Sequence, residues 1–355
     1  SPGAVEFFAP LISQIGSLPV AAEDVQTNVR QFLEAMMRMG YTGVVDAGGP
    51  QPEAVAAAAA EVGMRAMVAP HIADVWPNEV GELPVSQADP AELLEQAAAF
   101  IDANDGLGDG LVRAGVSGVW TMTCSDELLA GIAELAITRD IPVHIHTNVL
   151  DEEAGVHANW FGGRTAIERL DEAGLLNERV TLMHAGALSD EDIELIAASG
   201  ATVNHNPLGN AMLGFGVANQ LAVPRMLAAG IPLVLGSDTA PNKLASPFES
   251  MIAAMAISRE VAGDDFAFTV EDALRAATNG GVSLGRPGLL GAIEPGQLAD
   301  LVLIRPDPPY LAGPAHPVPT VVLNGHAGQV DSVIINGRHL VPGDRQSALR
   351  KSRSP

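Results

Sequence analysis

The sequence predicts an α/β protein built as a (β/α)₈ barrel, and three observations carry that reading. Seven short β-branched runs alternate with amphipathic helical stretches, polar or ionisable residues recur at the C-terminal ends of those runs, and no early run is followed by a G-x-G-x-x-G turn. The runs span 43–47, 64–70, 111–116, 143–147, 180–185, 201–206 and 232–238. Repetition of strand, helix and strand at this period produces parallel βαβ units. An open dinucleotide-binding sheet would need the glycine-rich turn, whereas a barrel assembles its site from one edge of many strands. Asp46, His146, His184, Asn204 with Asn206, and Asp238 all stand at that edge. Seven strands leave an eight-stranded barrel one short, and the missing strand is expected near or before residue 1.

The helices between the strands have recognisable starts. Ser125-Asp126-Glu127 opens one that runs to about Arg139, and Ser189-Asp190-Glu191-Asp192 opens another with capping-box spacing that ends near Gly200. After a last barrel helix from about Val270 to Gly281 the texture changes, with Pro287-Gly288, Glu294-Pro295-Gly296-Gln297 and a proline-rich stretch over 306–319. Short strands are expected at 300–304, 320–323 and 330–336, with Asn336-Gly337 as a hairpin turn. The division follows: an incomplete barrel over 1–285, a portion of a β-sandwich over 286–345 and a basic tail over 346–355.

Composition narrows the partners. The 355 residues carry 19 Lys plus Arg against 43 Asp plus Glu, a formal charge of -24 that repels nucleic acid and anionic membrane surfaces. A neutral or cationic small molecule is the expected ligand. A single cysteine, Cys124, excludes a disulfide framework and a thiolate metal cage, so a metal would need His and carboxylate ligands, and a reducing, cytoplasmic setting is expected. No run of ~18 apolar residues exists; the Ala-rich stretch from Ala54 is broken by Glu61 and Arg65. Ser1-Pro2-Gly3 shows neither an initiator Met nor a signal-peptide pattern, so the gene product is expected to begin upstream.

The segment richest in chemistry is Val143-His144-Ile145-His146-Thr147. Alternation along a strand puts His144 and His146 on one face, with His146 nearer the C-terminal rim. Taken alone, such a pair is more often two packed core histidines. His184 at the end of the next strand, and Asp238 closing an apolar run that has no other charge, shift the balance toward a site. An ionised carboxylate in a barrel mouth needs a cation or several donors, and converging imidazoles and carboxylate suit one divalent ion, Zn²⁺ first and Fe²⁺ second. Such an ion would yield hydroxide at neutral pH, with Asp238 as ligand and base and His184 at the water or the electrophilic carbon. Hydrolysis of a C–N or similar bond is the expected outcome. The competing structural reading makes Asp238 a helix N-cap within Ser237-Asp238-Thr239.

Taken together, His144-Ile145-His146, Met183-His184-Ala185, Asn204-His205-Asn206-Pro207-Leu208-Gly209-Asn210 and Leu235-Gly236-Ser237-Asp238-Thr239-Ala240 resemble the amidohydrolase superfamily in order and spacing. Its branch of triazine hydrolases and of deaminases acting on cyclic amidines, including 8-oxoguanine, guanine and S-adenosylhomocysteine deaminases, is the most similar. Phe161-Gly162-Gly163-Arg164-Thr165 and the ending from Leu290 to Ile304 share the likeness, which extends over about 20–343. The resemblance implies that His146 is the fifth-strand metal ligand, Asp238 the eighth-strand ligand and base, and His184 a histidine near water and substrate. It further implies a nitrogen heterocycle such as a purine, pterin, pyrimidine or triazine as substrate, and a homodimer or larger homo-oligomer.

Two departures qualify it. The family's first-strand His-x-His has no counterpart here: residues 2–9 show the wrong residues, and 6–25 match the region after that strand better. Deaminating relatives carry a Glu three residues after the fifth-strand His, and this chain has Val149 there, leaving Asp151 or Glu152 as the candidate proton shuttle. The alternative function is therefore a catalytically inactive binding or assembly subunit of the same fold. Candidate substrate contacts are His184, Asn148, His205, Asn206 and Trp160. Trp76, like Trp160, is a stacking candidate, His71 is read as loop packing ahead of pocket lining, and His316, His326 and His339 are read as solvent-facing.

Overall fold

The computed structural model describes residues 18–46, 48–79, 82–215, 220–238, 244–305 and 316–341. A helix over Ala22–Arg38 buries Leu33, Met36 and Met37 and leads into β1, Gly43–Asp46. The helix Pro52–Val62, with Pro at its start and Gly63 in the left-handed conformation at its end, connects β1 to β2, Arg65–Val68, and β3, His71–Ile72. A small hairpin follows, β4 at Val75–Trp76 against β5 at Val85–Ser86. Beyond the helix Pro90–Asn104 come β6, Val112–Ala114, and β7, Val116–Trp120.

The second half of the barrel repeats one unit. Helix Asp126–Arg139, capped by Ser125, leads to β8, Val143–Thr147; helices Glu153–Trp160 and Ala166–Glu172 lead to β9, Val180–His184. Helix Asp190–Ser199, with a capping box between Ser189 and Asp192, leads to β10, Thr202–His205. Helices Pro207–Leu213 and Ala222–Ala228 lead to β11, Leu233–Leu235, and helices Pro247–Ala262 and Val270–Thr278 close the barrel part.

The strands pair in parallel in two sheets, β1-β2-β6 and β11-β10-β9-β8-β7-β3. The two sheets are continuous at the chain level. Pro70, which lacks an N–H, separates β2 from β3, and Gly115, whose N–H donates to Val68 O, separates β6 from β7. Each pair acts as one long strand, so the described residues supply the seven strands read from the sequence. Their side chains are buried on both faces, as in β2 and β7, because helices cover one face and the barrel interior the other. Parallel register then aligns the strand ends: Trp120 stands opposite His146, and Thr147 opposite His184.

A three-stranded antiparallel sheet follows, built from β12, Leu301–Ile304, β13, Val330–Ile335, and β14, Arg338–Val341. Asn336 and Gly337 both have positive φ, the type I′ turn their residue types prefer. The strand expected at 320–323 is not there: Pro317–Asn324 is a helix. Pro317 occupies the first helical turn, and Val322 is fully buried, so packing overrides the β preference of Thr-Val-Val. Arg338–Val341 takes the expected strand's place. The barrel is tied to this sheet by a buried bidentate pair, Arg65 Nε to Asp300 Oδ2 at 2.6 Å and Nη2 to Oδ1 at 2.8 Å, while Asp300 Oδ1 also accepts from Asn336 N at 2.8 Å. His316, His326 and His339 are exposed, and the expected basic tail lies outside the described residues. Among the described residues no helix is long and apolar enough to cross a membrane. Cys124 is buried, and burial pushes its thiol up to about 12.

Candidate active site

Backbone strain marks one end of the barrel. Asn148, His184, Ala185 and Asp238 have φ of 49°, 69°, 46° and 47°, placing four non-glycine residues in the left-handed region just at or after the ends of β8, β9 and β11. Each such residue costs about 1–3 kcal/mol and persists where the surroundings over-determine it. The ends of three strands are bent here to aim side chains.

The histidine pair of β8 divides. His144 is buried one layer down and donates Nε2–H to Ser283 O at 2.9 Å, whereas His146 donates Nδ1–H to Val119 O at 2.7 Å. A carbonyl can only accept, so the His146 hydrogen sits on Nδ1 and Nε2 keeps its lone pair. His184 Nδ1 lies 2.8 Å from Asn210 Oδ1, which fixes the same tautomer. The His146 and His184 rings stack with centroids 5.5 Å apart, and His71 meets His146 edge-on at 5.9 Å. Burial holds all three imidazoles below their ordinary value, His71 at about 4. All three are therefore neutral at pH 7.

Asp238 closes the arrangement. Burial raises its carboxyl and the nearby His184 opposes that rise; Oδ2 has no hydrogen-bond partner. Helix Pro207–Leu213 sits against it so closely that a Cβ at Gly209 would come 2.4 Å from Asp238 Cβ. The same helix supplies Asn210 to His184, so one turn of chain positions both side chains. Thr239 lies outside the described residues, and with it the N-cap alternative for Asp238.

The other candidates distribute as follows. His205 is buried with Nε2 unpartnered, and burial lowers it to about 3. Asn206 is buried at the start of helix Pro207–Leu213. Asn148 accepts from Thr147 Oγ1 at 2.7 Å and donates to Ala187 O at 2.8 Å, so its amide joins the loops after β8 and β9. Trp160 lines a separate cavity of about 590 Å³ with Phe161, Asp126 and Arg164, next to the β4–β5 hairpin residues Val75 and Pro84.

Sequence reasoning passed over Glu153 and placed His71 in a loop. Glu153, neither of the two shuttle candidates, is the buried acid after β8: it accepts from Val149 N, from Leu150 N at 2.8 Å and from Trp120 Nε1 at 2.9 Å, and burial raises it to about 7. Asp151 is exposed. Three consecutive acids give no periodic signal that selects one. His71 belongs to β3 rather than to a loop; Pro70 conceals the strand's continuation.

The donor set can be tested for a metal. His146 and His184 keep Nε2 lone pairs, and Asp238 keeps an unpartnered oxygen, yet among the described residues no group of three or more His, Cys, Asp or Glu side chains converges closely enough to hold an ion. A protein-held zinc site needs three or four donors at about 2.0–2.3 Å, and the described residues do not fit one.

Comparison with known proteins gives the family and the fold. The amidohydrolase family model matches residues 6–340. The chain is 32% identical over 289 residues to a 5'-deoxyadenosine deaminase of Methanothermobacter thermautotrophicus, covering 81% of this chain and 64% of the relative. It is 31% identical over 294 residues to a 5-methylthioadenosine/S-adenosylhomocysteine deaminase of Syntrophobacter fumaroxidans, covering 82% of this chain and 64% of the relative. The chain thus spans a little under two thirds of the length of these relatives. Among solved structures, a zinc-bound adenosine deaminase of Xanthomonas campestris superposes with TM-score 0.79 at 24% identity, covering 96% of this chain and 76% of that one. Atrazine chlorohydrolase TrzN of Arthrobacter aurescens TC1, complexed with zinc, gives TM-score 0.77 at 23% identity, covering 98% and 81%. At these identities the two structures show a shared fold.

Proposed function

Because the chain belongs to the amidohydrolase family, we propose that it binds an uncharged planar nitrogen heterocycle at the barrel rim and acts there as a binding or assembly subunit, catalytically inactive by itself. The observation that carries this reading is the pair of buried, unpartnered acceptor or donor atoms, Asp238 Oδ2 and His205 Nε2, at a rim whose own donors do not add up to a metal site among the described residues. Unmade hydrogen bonds of buried groups cost about 1–3 kcal/mol each, a cost that a ligand with complementary polar atoms removes. His184, Asn206 and Asp238 would orient the heterocycle. A chain of charge -24 favours a neutral or cationic ligand over a phosphorylated one. Purine nucleosides are the first class to test, since the relatives are named for 5'-deoxyadenosine and S-adenosylhomocysteine. Val149, where deaminating members carry Glu, also supports binding without turnover.

A second reading, metal-dependent hydrolysis of a C–N bond, is favoured by a specific observation: the tautomers of His146 and His184 leave both Nε2 lone pairs free beside a strained carboxylate, Asp238. Calorimetric titration with 5'-deoxyadenosine, elemental analysis and an ammonia-release assay on one preparation separate the readings. Binding with little metal and no ammonia supports the first. Stoichiometric zinc or iron with ammonia release replaces it by the second, and absence of binding removes the heterocycle assignment.

A further inference from the structure

We propose that His71 is a specificity-determining contact at the barrel rim, offering one ring N–H and one ring lone pair to the polar edge of the bound heterocycle. This assignment rests on the heterocycle-binding reading above and adds the residue that would read the ligand's hydrogen-bonding pattern.

His71 differs from the imidazoles beside it in having nothing to bond. His144 is held by Ser283 O, His146 by Val119 O and His184 by Asn210, whereas both ring nitrogens of His71 are buried and have no hydrogen-bond partner. A buried imidazole without partners loses a donor and an acceptor, at about 1–3 kcal/mol each. An apolar ring would fill the same space without that cost.

The surrounding backbone is shaped to keep the ring in place. At Gly48, which has φ +130°, a Cβ would come 2.0–2.3 Å from three atoms of the His71 ring, so only glycine lets the chain lie this close. On its other side the ring meets His146 edge-on at 5.9 Å, and His146 stacks on His184 at 5.5 Å. His71 is thus one ring away from the candidate site.

The glycine segment that packs on His71 also holds a carboxylate with an unsatisfied oxygen. Asp46 ends β1, two residues before Gly48; its Oδ1 accepts from Gly49 N at 3.2 Å, and its Oδ2 is buried without a partner. The imidazole, with one donor and one acceptor, complements an edge carrying N–H beside a ring nitrogen or carbonyl. Amidine and amide edges of nitrogen heterocycles have that pattern. An anionic group would meet Asp46 and Asp238 instead and is disfavoured.

The test compares the wild-type chain with His71→Phe and His71→Gln by calorimetric titration with 5'-deoxyadenosine and by ligand-free thermal unfolding. His71→Phe should weaken binding at least tenfold while raising the ligand-free Tm by about 2–4 °C, since an unpaired polar ring has been removed. His71→Gln, which keeps a donor and an acceptor, should bind within about threefold of wild type. Unchanged binding by His71→Phe, or equal loss in both variants with a lowered Tm, overturns the assignment of His71 alone. No binding by the wild type overturns the heterocycle reading and this inference with it. Should His71→Phe fail to fold, His71→Gln and His71→Leu provide the same comparison.

Discussion

Asn210 Oδ1 lies 2.8 Å from His184 Nδ1, and both groups are buried. The amide thereby decides which His184 nitrogen keeps its lone pair. Asn210→Leu should free the tautomer and leave a buried N–H unmade, lowering unfolding free energy by about 1–3 kcal/mol. Nitrogen-15 chemical shifts of His184 check the tautomer and urea unfolding checks the stability; a single unchanged tautomer would contradict the role given to Asn210.

Gly209 gives Asp238 its room. A methyl group there would stand 2.6 Å from Asp238 Oδ2 and 2.4 Å from its Cβ. Gly209→Ala should therefore push the carboxylate or the helix aside, costing about 1–3 kcal/mol and reducing ligand affinity more than substitution at exposed Met212 on the same helix. Calorimetric titration of the two variants side by side makes the comparison.

Glu153 should make stability depend on pH. Burial raises its carboxyl from 4.5 to about 7, so the folded chain holds the proton longer than the unfolded one. The contribution is complete below pH 4.5 and is lost as pH rises toward 7, about 3 kcal/mol in all at ~1.4 kcal/mol per unit. Glu153→Gln removes that slope. It also turns an amide toward the Trp120 indole N–H, so Trp120 fluorescence should shift while the pH dependence between 5 and 7 flattens by about that amount. An unaltered slope in the variant would assign the effect elsewhere.

Metal removal separates the two functional readings. If no ion is held, prolonged chelation should leave the Tm within about 1 °C. An ion present at a hundred times its dissociation constant would contribute about 2.7 kcal/mol, and its removal would be plain in the melting curve.

The barrel was legible because β-branched runs and capped helices repeat, a pattern that survives ignorance of every contact. Its seven strands and the Asn336-Gly337 turn appear where local chemistry demands them. Thr320 to Leu323 misleads because Val322 is buried by tertiary packing that a local β preference does not register. At the rim, alternation separates the two faces of β8 but cannot tell that His144 is bonded to Ser283, 139 residues away, while His146 is bonded to Val119. The unpaired state of His71 is invisible in sequence for the same reason: it depends on what the fold fails to bring near.

Arg65 and Asp300 make the barrel and the C-terminal sheet depend on one ion pair. The guanidinium sits in β2, with 2% of its side chain exposed, and its partner is made 235 residues later. In the folded chain Asp300 neutralises that cation, and loss of the carboxylate would leave a buried charge unpaired. Asp300→Asn should therefore lower stability by about 3–5 kcal/mol, seen as faster proteolysis at 37 °C.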